Sequence, residues 1–226
     1  MIFTALLTLF LLQTAAPGGT ANSIVFDFEN PQLQPAKYSI EIHEDGSGRY
    51  KSMPSPPTPG TTTPDTADAY TSQPMDREIR IGDSLRTQLF ALARSHHFFA
   101  IACEAPKNHV AFTGKKTLSY SGGGGQGSCT YNYSKDEQLN RIADEMESVA
   151  FTIEEGQKLA LQHEHSPLAL DAELETLQDS ARGGRALEVG NIAPQLQSIA
   201  DDANVLERAR KRARELLGSS KPAGAS

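Results

Sequence analysis

His163-Glu164-His165 is the one place in the chain where two imidazoles flank a carboxylate. That set of side chains suits a divalent metal such as zinc, which would polarise a substrate or a bound water. The spacing fits it poorly. Helical zinc ligands sit at i and i+4, on one face; i and i+2 suits a strand or a loop. Ser166-Pro167 follows at once, so the reading puts both histidines in an exposed polar connection, with no third ligand nearby. A metal-assisted hydrolase using His163 and His165 is carried forward as the alternative function.

Cys103 and Cys129 are the only cysteines. Both have apolar parity in their segments, and a bridge between them would stabilise the fold by roughly 3 kcal/mol in the chain-entropy model. One arrangement forbids it. If Ala100–Cys103 forms a hairpin with Val110–Phe112, strand rise leaves the two cysteines ~25 Å apart. Disulfide and buried thiols therefore both stand, depending on whether residues 98–106 are a strand.

Arg208, Arg210, Lys211, Arg212 and Arg214 make the last helix basic, beside an apolar stripe of Val205, Leu206, Ala209, Ala213, Leu216 and Leu217. A solvated face with cations near a helix C-terminus accounts for this pattern. Contact with anionic lipid or an acidic partner is the sharper reading. Other motifs dissolve on inspection. Gly122 to Gly127 has no lysine and is followed by a strand, so it is a hairpin loop and not a phosphate cradle. Ser47, between Gly46 and Gly48, lacks the spacing of a nucleophile elbow. His96-His97 ends a helix, where a cation complements the dipole. No catalytic residue and no cofactor is expected.

The elements that position these residues follow from periodicity. Tyr38, Ile40 and Ile42 alternate with polar residues as a half-buried strand. Glu44 to Gly48 is a turn, read as a three-residue loop with a glycine bulge that sets Tyr50 opposite Ile42. Residues 53–75 hold six Pro and six Thr, and read as a flexible insertion. A strand over Arg77–Ile81 precedes a helix capped by Asp83 or Ser84 that carries Leu85, Leu89, Leu92 and Ala93. Phe98–Cys103 reads as strand-like. Val110, Phe112, Leu118 and Tyr120 share a parity, and Cys129, Tyr131 and Tyr133 return opposite Tyr120, Leu118 and Lys116. Ser134 and Glu137 form a capping box for a helix with Leu139, Ile142, Met146, Val149 and Ile153 in one stripe, weakened or ended at Gly156. Three more helices follow: one from Ser166-Pro167 to Gly183-Gly184, one over Ile192–Ala200, and one from Asp201 or Asp202 to Leu217. The expected fold is α+β: an antiparallel sheet built as hairpin, helix, hairpin, covered by a long helix, with an all-α extension. The expected divisions are an α+β domain over 22–160, the extension over 161–217 and a disordered tail over 218–226.

The pattern Tyr38-x-Ile40-x-Ile42, Asp45-Gly46 and Tyr50, with Val110-Ala111-Phe112-Thr113-Gly114 and Tyr120, resembles small exported α+β proteins of unknown function in environmental bacteria. In these an Asp-Gly hairpin followed by an aromatic opens the sheet. The likeness covers residues ~38–160. It implies export and an α+β fold, and assigns no activity or site residues.

The first residues agree with export. Ile2 to Leu12 is almost wholly apolar, long enough for a signal h-region and too short to span a bilayer. No Lys or Arg precedes it. Small residues follow, and Gly19-Thr20-Ala21 places cleavage of a 1–21 signal peptide after Ala21. The remainder is expected in the periplasm or medium, with no transmembrane span. With 38% hydrophobic and 22% charged residues the chain can build a core, and its net charge of −7 disfavours nucleic acid. No tryptophan is present for sugar stacking. The function expected is a non-catalytic envelope or secreted interaction module, meeting another envelope protein or an anionic surface through its sheet face or C-terminal helices. N-terminal sequencing of protein from the extracytoplasmic fraction should begin at Asn22. Soluble cytosolic protein that keeps Met1 would refute export.

Overall fold

A computed structural model describes residues 22–54, 73–105 and 111–219. The signal segment, most of the Pro/Thr-rich insertion, Val110 and residues 220–226 lie outside the described residues. The fold is α+β, with the helices following the sheet. Six antiparallel strands make one sheet: β1 (Ser23–Glu29), β2 (Lys37–His43), β3 (Ser47–Met53), β4 (Met75–Arg80), β5 (Lys115–Gly122) and β6 (Gly125–Tyr131), in the order β4-β3-β2-β1-β5-β6. Five α-helices are described: α1 (Asp83–Ser95), α2 (Glu137–His165), α3 (Leu170–Arg182), α4 (Ala193–Asp201) and α5 (Glu207–Ser219). Gly218 and Ser219 thus belong to the last helix, not to a tail.

The centre of the sheet is a strand that the sequence reading did not assign. β1 alternates buried Ile24, Phe26 and Phe28 with Val25 and Asp27, a clear period of two. It pairs with β2 (Phe26 opposite Ile40) and with β5 (Phe26 opposite Leu118), so it joins two parts of the chain that are far apart in sequence. The inner rows continue across the sheet: Tyr50, Ile40, Phe26, Leu118 and Cys129 form one of them. α1 and α2 cover this face with Leu85, Leu89, Phe90, Leu139, Met146 and Val149.

Several local expectations need correction. The β2–β3 turn does have three residues, with Gly46 at φ 79°, but Tyr50 faces Ile40 and Gly48 faces Ile42. The register is displaced by two residues with its parity kept. The β5–β6 loop is only Gly123-Gly124, so Cys129 faces Leu118 and Tyr131 faces Lys116. Residues 98–103 are no strand: His97–Phe99 is a tight turn with all three residues at positive φ. β5 starts at Lys115, leaving Phe112 outside the sheet. The N-cap of α1 is Gly82, whose amide is taken by the Glu188 carboxylate at 2.9 Å, so neither Asp83 nor Ser84 caps. Asp136, not Ser134, caps α2, accepting from the Gln138 and Leu139 amides.

α2 also does not end at Gly156. It runs on to His165 and passes from the sheet core into a second cluster, built from Leu159, Leu174, Ile192, Leu196, Ala209 and Leu216 among others. Gly156 marks the crossing point. Ile192 lies against its backbone, and a Cβ there would overlap the Ile192 side chain.

The turn Val189–Ile192 ties the two cores together at the sheet edge. The Asn191 side chain accepts from the Arg80 amide at 2.7 Å and donates to the Arg80 carbonyl at 2.8 Å, the pattern of a neighbouring strand. The Arg77 guanidinium donates to the Asn191 carbonyl at 2.6 Å. The edge of β4 is thereby closed to pairing at Arg80. Asn191→Ala is expected to cost about 0.5–1.5 kcal/mol, by removing the two solvent-exposed bonds to the Arg80 backbone. Urea denaturation should report the loss and light scattering a rise in self-association. An unchanged urea midpoint would contradict this role.

Candidate functional site

Cys103 and Cys129 form a disulfide, with Cα atoms 5.8 Å apart. The obstacle seen in the sequence vanishes because residues 97–99 turn instead of extending. That left-handed turn is held by Phe98, which packs against Tyr120 with ring centroids 4.7 Å apart and lies over Gly124 and Gly125. A Cβ at Gly125 would strike the Phe98 ring, and one at Gly127 the Phe98 carbonyl. The glycine run is therefore a seat for Phe98 as well as a hairpin loop. The disulfide then fixes the following segment against β6, and the Ala105 amide donates to the Tyr133 carbonyl at 2.9 Å.

The histidines do not lie in a loop. His163 and His165 occupy the last turn of α2. His163 Nε2 meets Asp202 Oδ2 at 2.9 Å, and Ser198 Oγ stands 3.5 Å from Nδ1, in an open cleft of about 590 Å³. The Asn204 amide, and then His163, hold the Asp202 carboxyl below its ordinary range. His165 is half-exposed and 3.7 Å from Glu164 of its own turn. On a helix, i and i+2 point to different faces, so the two imidazoles do not converge. Among the described residues no group of three His, Cys, Asp or Glu side chains is placed to hold a metal. The Ser198–His163–Asp202 set joins the end of α2 to the end of α4.

A similar set occurs at His96. Nε2 meets Asp136 Oδ2 at 2.8 Å, and Nδ1 lies 2.9 Å from Ser95 Oγ. Burial would raise the Asp136 carboxyl, but His96 and the Leu139 and Gln138 amides hold it low. Asp136 caps α2 while His96 terminates α1, so the pair links two helix ends of opposite polarity. His97 is exposed and takes no part in it.

Each cation of the basic helix has an acidic partner within the molecule. Arg212 bonds Asp171 at 3.1 Å and Glu175 at 3.0 Å, and Arg208 bonds Asp171 at 2.8 Å. Arg210 and Arg214 both reach Glu207, and Lys211 lies 3.9 Å from Glu215. Ala209, Ala213 and Leu216 of the apolar stripe are buried against the other helices.

A surface that the sequence reading passed over lies at one end of the sheet. Among the described residues six large apolar side chains are exposed: Leu33, Met53, Phe112, Tyr133, Leu168 and Leu206. The first four share one end. The register sets Glu29, Lys37, Met53 and Lys115 on one line across the sheet. Leu33 lies in the β1–β2 loop, Phe112 just before β5 and Tyr133 just after β6. Polar clips fix these loops. Asn30, itself buried, donates to the Thr113 carbonyl at 3.3 Å. Asn132 accepts from the Thr113 amide at 2.9 Å and donates to the Ala111 carbonyl at 3.1 Å, so one amide grips the backbone on both sides of Phe112. Parity had assigned Phe112 and Tyr133 to the inner face; they are 54% and 43% exposed because both fall beyond the strand ends. The only sequence signal for this surface is the pair of asparagines beside the aromatics.

The chain matches no protein-family model and no curated protein sequence. Replacing both cysteines by alanine should lower stability by about 2–5 kcal/mol. Mass spectrometry without reductant should find the Cys103 and Cys129 peptides linked in native protein. Two freely alkylated thiols would overturn the pairing.

Proposed function

We propose that the protein is an exported, non-catalytic interaction module that docks another extracytoplasmic protein through the apolar end of its sheet. The gathering of Leu33, Met53, Phe112 and Tyr133 at that end carries this reading. These side chains are spread along one end of the sheet, from β3 to just beyond β6, and offer a partner several apolar anchors along one line. Aromatic anchors held rigidly lose little freedom on binding, and the Asn132 grip supplies that rigidity for Phe112. The C-terminal helices support the choice of surface from the other side. Their apolar stripes are spent on the second core, and their arginines on internal ion pairs. The disulfide and the absence of a helix able to cross a membrane among the described residues agree with export.

The test compares two variants of the mature chain in co-purification from the extracytoplasmic fraction. Met53→Ser with Phe112→Ser should keep the melting temperature and weaken partner binding by roughly 30-fold or more, the scale of losing a hot spot. Arg208→Ala with Lys211→Ala should bind as wild type does. Retained binding in the first variant, or equal loss in both, would sink the proposal.

A further inference from the structure

A histidine–aspartate pair stands at each end of α2, and the two differ in what the second ring nitrogen faces. At the start of α2, His96 Nε2 lies 2.8 Å from Asp136 Oδ2. A carboxylate only accepts, so Nε2 carries a hydrogen. Nδ1 lies 3.1 Å from the Leu92 carbonyl oxygen, which also only accepts, and 2.9 Å from Ser95 Oγ. The Ser95 hydroxyl has its own acceptor in the same carbonyl, at 3.0 Å, which leaves its oxygen free to take a hydrogen from Nδ1. Were Nδ1 bare, its lone pair would face a carbonyl at the negative end of α1. Both ring nitrogens therefore donate, and His96 sits between its acceptors as an imidazolium, with its side chain 13% exposed. At the far end, His163 Nε2 likewise donates to Asp202, at 2.9 Å. Its Nδ1 faces the Ser198 hydroxyl at 3.5 Å, a group that donates as readily as it accepts. A neutral ring satisfies that second pair.

We propose that the His96–Asp136 pair is a charge-dependent clasp between α1 and α2, closed while the imidazole is protonated and loosened when rising pH removes that proton. Closure selects the protonated ring, so its contribution is complete in mildly acidic medium and is lost on the alkaline side. Asp136 sets the opposite limit. Burial raises its carboxyl, but the His96 bond and the Leu139 and Gln138 amides bring it below the usual carboxylate range, so that side is lost only on stronger acidification. Asp136 is the charge that faces His96 from α2, and the Leu92 carbonyl and Ser95 hydroxyl are the polar groups that face it from α1. The adjacent His97 is exposed. Both partners also cap a helix: Asp136 accepts from the first amides of α2, and the His96 amide donates to the Leu92 carbonyl in the last turn of α1. Opening the clasp therefore frays the start of α2.

Amide hydrogen exchange of the full mature chain, corrected for intrinsic exchange chemistry, reads the clasp at residues 138–143. Protection there should fall about tenfold from about pH 5.5 to about pH 8.5, the scale of a partly buried histidine charge at a helix end. Nitrogen-15 NMR of the imidazole should show the His96 ring losing its second proton in step with that fall. Residues 158–163, beside the pair that a neutral ring satisfies, should keep their protection and so separate the clasp from a general loosening of the fold. His96→Gln keeps an N–H donor for Asp136 and has no proton to lose, so its protection should be flat over the same range. Flat protection in wild type, an equal fall at both ends of α2, or the same fall in His96→Gln would each overturn the clasp.

Discussion

The pairing of β1 with both β2 and β5 is the constraint on which the rest of the structure depends. β2 and β3 form a hairpin across a three-residue turn, and β4 adds to β3 across the Pro/Thr-rich insertion. β5 and β6 form a separate hairpin. Only β1 joins them, and its partner β5 lies some ninety residues further along. The inner face becomes continuous only when Phe26 lies between Ile40 and Leu118. Until then α1 and α2 have two half-surfaces to cover instead of one. Such non-local closure is slow relative to hairpin formation, so sheet completion follows the arrival of β5.

The long helix depends on the same closure. The stripe from Leu139 to Ile153 is buried only against a complete sheet. Beyond Gly156 the same helix becomes a wall of a second core, and the Val189–Ile192 turn returns to bind the sheet edge through Asn191. The chain thus reaches opposite parts of the sheet twice: once covalently, through the disulfide beside β6, and once by an amide that imitates a strand beside β4.

The sequence made the element types legible because period-two and period-3.6 patterns survive tertiary context here. Ile40 and Ile42 are buried as their alternation requires, and so is the stripe of α2. β1 went unassigned despite the same alternation, and for the other strands what could not be read was placement. Turn type fixes parity, but loop length sets register, and both hairpins differ from expectation by two residues. The apolar run Phe98–Cys103 looks extended because nothing local announces a left-handed turn; its reason lies in glycines more than twenty positions away. The basic helix was legible as composition, but the partners of Arg208 and Arg212, Asp171 and Glu175, lie on a different helix and could not be read. The exposed aromatics were hidden by the rule that usually finds cores: Phe112 and Tyr133 have the right parity but lie three residues before β5 and two after β6.

The disulfide has a consequence for how the sheet is checked. Cys129 faces Leu118, and its position along β6 decides whether it can reach Cys103. A slip of β6 by one pleat keeps every side chain on its own face, so burial alone discriminates weakly against it. The same slip carries Cys129 along the strand by roughly 7 Å, beyond the span of a disulfide. Only the aligned register brings the two sulfurs within the span of a disulfide. Once formed, the bond holds that register in covalent form.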